Sequence, residues 1–212
     1  MPSKAYGEFQ NLLGSVDQLI NIHRKLQKGR GRRHEQDAVH RAGVVLTVAA
    51  WQAYIEKVLK EGLGHIQKHI ANPPSGGPPP AWALSGFLVR ATAIKNSIRQ
   101  FNTPNSENVQ RLFKESLEFD PWPSWTWHVS RRNWDSIECR NRTNVWLRIR
   151  HSIAHGFDLP DDVPWIQGDN GTARLTLSLL EGCRKHFDHL AKQTDKAFSD
   201  HLRDHHGTLA PW

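Results

Sequence analysis

The chain predicts an all-α helical bundle with one small β-hairpin before the last helix. Three observations carry this. Long stretches poor in proline and glycine repeat their apolar residues at a helical period. The breaks between them fall at clusters of glycine, proline and capping residues. Only one short segment, around Asp169-Asn170-Gly171, carries the turn chemistry of a hairpin.

The elements follow in order. Ala5 to Lys28 keeps a helical period through Phe9, Leu12, Leu13, Val16, Leu19 and Ile20, and the basic tract Gly29-Arg30-Gly31-Arg32-Arg33 ends it. A longer helix runs from about Glu35 to Ile70, with Val44 to Trp51 in the core. Asn72 to Pro80 is rich in proline and glycine and reads as an insertion loop. Ala81 to Gln100 is a third helix. Thr103-Pro104-Asn105 then supplies a cap before a short helix, Ser106 to Leu117. Asp120 to His128 is a rigid aromatic loop, and a helix over Arg131 to Ala154 follows, stopped by Gly156 with Pro160 beyond. Trp165 to Gln167 and Arg174 to Leu177 form the hairpin. Ser178-Leu179-Leu180-Glu181 matches a capping box for a last helix reaching about Asp204, and His205 to Trp212 is a frayed tail. Residues 1–212 read as a single domain.

At 212 residues and 38% hydrophobic content the chain can bury a sizeable core and is not a disordered segment. It carries 28 Lys+Arg against 21 Asp+Glu, a formal charge of +7, which favours anionic partners, above all nucleic acid. A soluble basic surface explains the same charge. Cys139 and Cys183 are too few for a disulfide scaffold and suit a reducing cytoplasm. The first residues lack a signal pattern, and the apolar run Gly43 to Trp51 is far short of the ~20 residues of a membrane span. A cytoplasmic protein without a membrane partner is expected.

Function is concentrated in Arg150-His151-Ser152-Ile153-Ala154-His155-Gly156, at the end of the fifth helix. A guanidinium holds phosphate with a planar fork of donors, and imidazole moves a proton near neutral pH. Together they suit cleavage of a phosphodiester without a metal. At about 100° per residue, His151 and His155 share a face, whereas Arg150 and His155 lie about 140° apart. They converge if the arginine stem bends over, the last turn distorts, or a second subunit completes the site.

Arg150, four residues, then His155 resembles the R-x4-H signature of the HEPN superfamily, and the segment around it resembles the RiboL-PSP-HEPN branch. The helix Leu46 to Glu61, the stretch Phe101 to Phe113 and the Trp-rich stretch before the signature helix support that branch. One departure is Gln52, where the branch leads us to expect glutamate directly after the tryptophan; Glu56 follows one turn later.

The resemblance implies a HEPN-like bundle and a metal-independent endoribonuclease that needs no cofactor. It implies catalytic Arg150, His155 and His151, with Arg148, Arg142 and Glu56 on the substrate. It further implies RNA as substrate, a homodimer joined at the signature helices, and a role in toxin–antitoxin, antiviral or stress defence with an antitoxin or defence protein as partner. The competing reading is a non-cleaving module that binds RNA, a nucleotide or a protein.

Each candidate residue has a plainer reading as well. His155 can simply cap the helix. His151 and His155 have the spacing of a zinc pair, but Ser152 stands where a zinc peptidase places its glutamate base. Arg131, Arg132, Arg140, Arg142 and Arg148 form either a phosphate track or a solvated face. Trp122, Trp125 and Trp127 either stack on bases or pack their own loop. His186, His189, His201, His205 and His206 either bind a metal adventitiously or form a solvated face, the plainer reading, and neither cysteine has the setting of a nucleophile.

Overall fold

The computed structural model describes residues 1–26, 36–72, 79–129, 132–168, 171–208 and 211–212. Its helices are α1 (Lys4–Leu26), α2 (Asp37–Ala71), α3 (Ala81–Gln100), α4 (Ser106–Leu117), α5 (Ser136–His155) and α6 (Leu177–His206). Among the described residues one small antiparallel sheet forms, β1 (Trp127–Val129) against β2 (Arg132–Trp134). The chain is thus all-α, as expected.

The middle of the bundle is α2, which packs against all five other helices. Val44, Val48, Trp51, Tyr54, Ile55, Val58, Leu59 and Leu63 are buried along it and share one broad face of roughly half the helix surface; Leu46, Ala49, Lys57 and Lys60 on the other side are exposed, so the stretch Val44 to Trp51 is not core throughout. It is the one described helix long and apolar enough to cross a membrane, and its buried apolar residues instead fill the bundle core. Small residues set its crossing with α6. A Cβ on Gly43 would lie 2.5 Å from Leu180 Cδ1, and one on Gly62 would lie 2.7 Å from the Phe198 ring.

The caps explain where the helices start. Ser3 Oγ accepts from the Tyr6 amide and donates to the buried Asp195 of α6, while Glu61 accepts from the amides of Lys4 and Ala5. The side chains of Asn105, Asp135 and Thr176 accept from the amides of Asn108, Glu138 and Leu179.

Four expectations are corrected. The hairpin lies in the Trp-rich stretch, where Trp127 pairs with Trp134 and their rings meet edge to face at 5.6 Å, a cross-strand aromatic contact that holds the short strands. Where it was expected there is a 3₁₀ turn at Pro164–Ile166 and a single bridge, Gln167 to Ala173; Asp169 and Asn170 lie outside the described residues. Consequently α5 starts at Ser136, capped by Asp135. Arg132 sits on β2, and Arg131 lies outside the described residues.

The cap of α6 is Thr176 rather than Ser178, because Thr176 keeps the extended backbone a cap requires (φ −122°, ψ 166°). The described residues of the tail, 205–208 and 211–212, pack rather than fray. Gly207 (φ 63°) turns the chain back after α6, and the Trp212 ring lies 5.9 Å from Phe198 and 5.7 Å from His65, with its indole N–H donated to Asp195 O. The basic tract 29–33 and most of the 72–80 loop lie outside the described residues.

Candidate functional site

The signature residues occupy the last turn and a half of α5, and sequence explains how that end is built. Trp146 and Ile149 are buried and Ile153 is packed against the core, so the apolar stripe faces inward and orients the helix. His151 and His155 therefore project outward, both exposed, with ring centroids 4.3 Å apart. Gly156 takes a left-handed conformation (φ 70°). Its amide bonds back to Ile153 O, and the Phe157 amide bonds to Ser152 O at 2.9 Å, the Schellman pattern.

That motif brings the residue after the glycine back over the helix. Phe157, 60% exposed, lies 5.8 Å from the His155 ring in a stacked arrangement and 6.0 Å from the His151 ring. The reading of the sequence passed over Phe157. The signal was present, since an apolar residue directly after a helix-stopping glycine commonly returns to the last turn.

The helix remains α through His155, so the last turn does not distort, and Arg150 stays about 140° round from His155. Arg150 is half-buried. Neither its side chain nor the two imidazoles form a hydrogen bond or ion pair among the described residues, so these three side chains are uncommitted.

The other arginines are engaged. Arg148 makes a two-pronged contact with Asp162, at 3.0 and 2.6 Å. Arg142 lies over the rings of Trp134 and Trp165 and pairs with Glu138. Arg140 covers Trp122 at 4.0 Å and donates to Ser136 O. Arg140 thus holds the aromatic loop to the helix, and Arg142 holds β2 and the Pro164–Ile166 turn. Glu56 accepts from Gln52 and pairs with Lys60. Gln52 also donates to Phe101 O, which a glutamate carboxylate could not do, and this accounts for an amide at that position.

A cavity of about 500 Å³ opens beside His151. Thr103, Asn105 and Glu107 form one wall; Asn144, Leu147, Arg148 and Ser152 of α5 form the floor with His151; Pro160, Asp161 and Asp162 close the far side. Arg142, His155 and Glu56 do not line it. Burial works against ionisation of Glu107. Hydrogen bonds from Ser106 Oγ and Asn144 Nδ2 and the nearby Arg140 charge outweigh it and hold the carboxyl below its ordinary value.

The remaining candidates resolve into structural roles. Trp125 is fully buried and donates to Thr194 Oγ1, Trp127 is buried, and Trp122 donates to Ser106 O, so the aromatic loop packs on itself and the bundle. Four of the five histidines of α6 are not a solvated face: His186 is buried against Thr143, His189 contacts Thr126 O, and His201 and His206 both contact Leu117 O, while His205 is exposed beside the His201 ring. Those four tie α6 to polar groups of neighbouring segments, a role their spacing alone does not show.

Burial pushes the Cys139 thiol to about 11 and Cys183 well above its ordinary value, so neither thiol is a ready nucleophile. Among the described residues no three His, Cys, Asp or Glu side chains gather as a metal site.

A family model described as RiboL-PSP-HEPN matches residues 10–200. No curated protein and no solved structure matches the chain.

Proposed function

From the chain's membership of the RiboL-PSP-HEPN family, which covers nearly its whole length, we propose that it is a metal-independent endoribonuclease. The observation that carries this reading is the uncommitted Arg150, His151 and His155 at an exposed helix end, with the imidazoles 4.3 Å apart.

In this mechanism one imidazole takes the proton of a ribose 2′-OH, whose oxygen attacks the adjacent phosphorus. The bond to the 5′-oxygen breaks, and a protonated imidazole supplies the proton that oxygen needs. The products are a 2′,3′-cyclic phosphate and a 5′-hydroxyl. The Arg150 guanidinium neutralises charge on the phosphorane-like transition state, and the Phe157 ring flanks the histidines as an apolar wall.

An in-line displacement places base and acid on opposite sides of phosphorus. His151 and His155 of one helix lie on one side, so a second copy facing the first across a two-fold axis supplies the other. The working unit in this reading is a homodimer joined at the outward faces of α5. Trp146 and Ile149 are buried in their own bundle and take no part in that contact. A role in toxin–antitoxin, antiviral or stress defence belongs to the same reading.

The test is purified protein with labelled RNA in EDTA. Cleavage should persist, and His155→Ala and Arg150→Ala should each lose on the order of a hundredfold or more in rate. DNA and 2′-O-methyl RNA of the same sequence should bind and stay intact. Full activity in either variant, or cleavage of DNA at the rate of RNA, rejects the mechanism. Binding of RNA with no cutting supports the non-cleaving module instead.

A further inference from the structure

We infer that Phe157 is a stacking platform for one base of the RNA, that of a nucleotide flanking the phosphodiester that is cut; this rests on the ribonuclease reading above. The ring stands at the histidines. Its centroid lies 5.8 Å from that of His155, at an interplanar angle of 25°, and 6.0 Å from that of His151. It is 60% exposed. The left-handed Gly156 and the bond from the Phe157 amide to Ser152 O fix the backbone that holds it there.

Capping the helix does not account for the ring. In a Schellman turn the apolar residue after the glycine commonly packs on an apolar side chain five or six residues before it. Here those positions are Ser152 and His151, so most of the ring stays in water. A subunit contact does not account for it either. The core of such a contact is largely apolar, whereas the exposed neighbours of Phe157 in the chain and on the last turn are His151, Ala154, His155, Gly156 and Asp158. Ile137, the exposed large apolar side chain of α5, sits in the first turn, roughly 27 Å along the helix from His155.

A base fits this setting. It offers an apolar face to the ring and keeps its polar edge in water. In a single strand each phosphodiester has a base on either side within one nucleotide, so a strand held for cutting at the imidazoles brings a base to the adjoining ring. A phenyl ring has no hydrogen-bonding group, so the stack positions the strand without choosing among the four bases. A base inside a double helix has both faces covered, so the stack takes one that is unpaired.

The position of the cut is fixed with short 2′-O-methyl strands that carry a single ribose, whose 2′-OH is the one nucleophile. In the parent protein, removing the base from one of the two nucleotides flanking the cut should lower kcat/KM roughly five- to hundredfold, the range of a base–aromatic stack. Phe157→Ala should cut the strand with all its bases more slowly by a similar factor, and removing the base should then cost nothing further. Phe157→Trp should restore both effects. Phe157→Leu, apolar and of similar size but without a π face, should not. Binding is read separately with 2′-O-methyl oligoadenylate and an abasic strand of equal length. The parent should favour oligoadenylate at least fivefold, and Phe157→Ala should not discriminate.

Equal cutting with and without either flanking base, a penalty for the missing base that is unchanged in Phe157→Ala, or a Phe157→Leu chain equal to the parent overturns the proposal. So does a Phe157→Ala chain that sediments as a monomer where the parent is a dimer, since the ring would then be a subunit contact. A Phe157-dependent preference for oligoadenylate without cutting of any ribose-bearing strand leaves the stack standing and rejects the ribonuclease reading.

Discussion

Single residues set how much of the positive charge is free to meet an anionic partner. Arg148 borders the cavity, yet its guanidinium is held by Asp162, whose carboxyl the same hydrogen bonds keep below the ordinary range. Both partners are exposed, so the pair contributes little to stability. Its effect falls on binding. Asp162→Asn should release Arg148 to phosphate, raise RNA affinity at low salt, and steepen the slope of log K against log salt by about one. Melting temperature should barely move. An unchanged salt slope would show that Arg148 stays off the RNA. The residues legible in the sequence at this scale were those with a spacing: Arg150, His151 and His155. Phe157 and Glu107 were not singled out, because their roles depend on what the chain folds against them.

At the scale of the element, two helix features make predictions of different origin. Gly156 has open space where a Cβ would be built, but its φ of 70° is costly for any L side chain. Gly156→Ala should therefore cost about 1 kcal/mol through backbone conformation alone, and Gly156→Asn less. Because the same turn seats Phe157 beside the histidines, cleavage should fall more in Gly156→Ala than its stability loss explains. Gly62 is the opposite case. It is helical and unstrained, yet an added Cβ would meet the buried Phe198 ring at 2.7 Å. Gly62→Ala should destabilise by about 1–3 kcal/mol through overpacking of the α2–α6 crossing, seen as a lower denaturation midpoint. A variant as stable as the parent would show that the crossing can open.

At the scale of the whole molecule, pH and assembly give two readouts. His40 is buried between Leu175 O and His23, and burial, then the His23 charge, lowers its pKa. Burial lowers that of His201 as well, with His205 and His206 adding to it. The unfolded chain takes up these protons below about pH 6.5 while the folded chain resists them, so stability falls on acidification through that range and is unaffected by these groups above it. Glu107 and Asp120, held below their ordinary values by hydrogen bonds that outweigh burial, add a further loss at lower pH; Asp195, raised by burial, acts in the other direction. Thermal melts should drop from about pH 8 to about pH 5.5, and less so in His40→Asn, which keeps a donor for Leu175 O. Equal slopes in both proteins would remove His40 from the account. For assembly, sedimentation should give about twice the 24.3 kDa chain mass at micromolar concentration. Mixed His155→Ala and Arg150→Ala chains should regain partial activity. A fully active monomer would mean that the Arg150 stem alone spans the gap to His155.

The helices α3 and α4 and the approximate extents of α1, α2 and α6 were determined by sequence alone, because apolar period, glycine and proline breaks and capping residues act within a few neighbouring residues. The RHSIAHG end of α5 was determined in the same way, and with it the family. Tertiary structure decided what depends on partners far along the chain. Trp127 found Trp134 and formed the hairpin; Trp212 found Phe198 and His65 and docked on the bundle; histidines on α6 found distant carbonyls. It also decided which arginines remained free. All of those on α5 have the same side chain, and only packing against Trp134, Trp122 or Asp162 separates the engaged ones from Arg150.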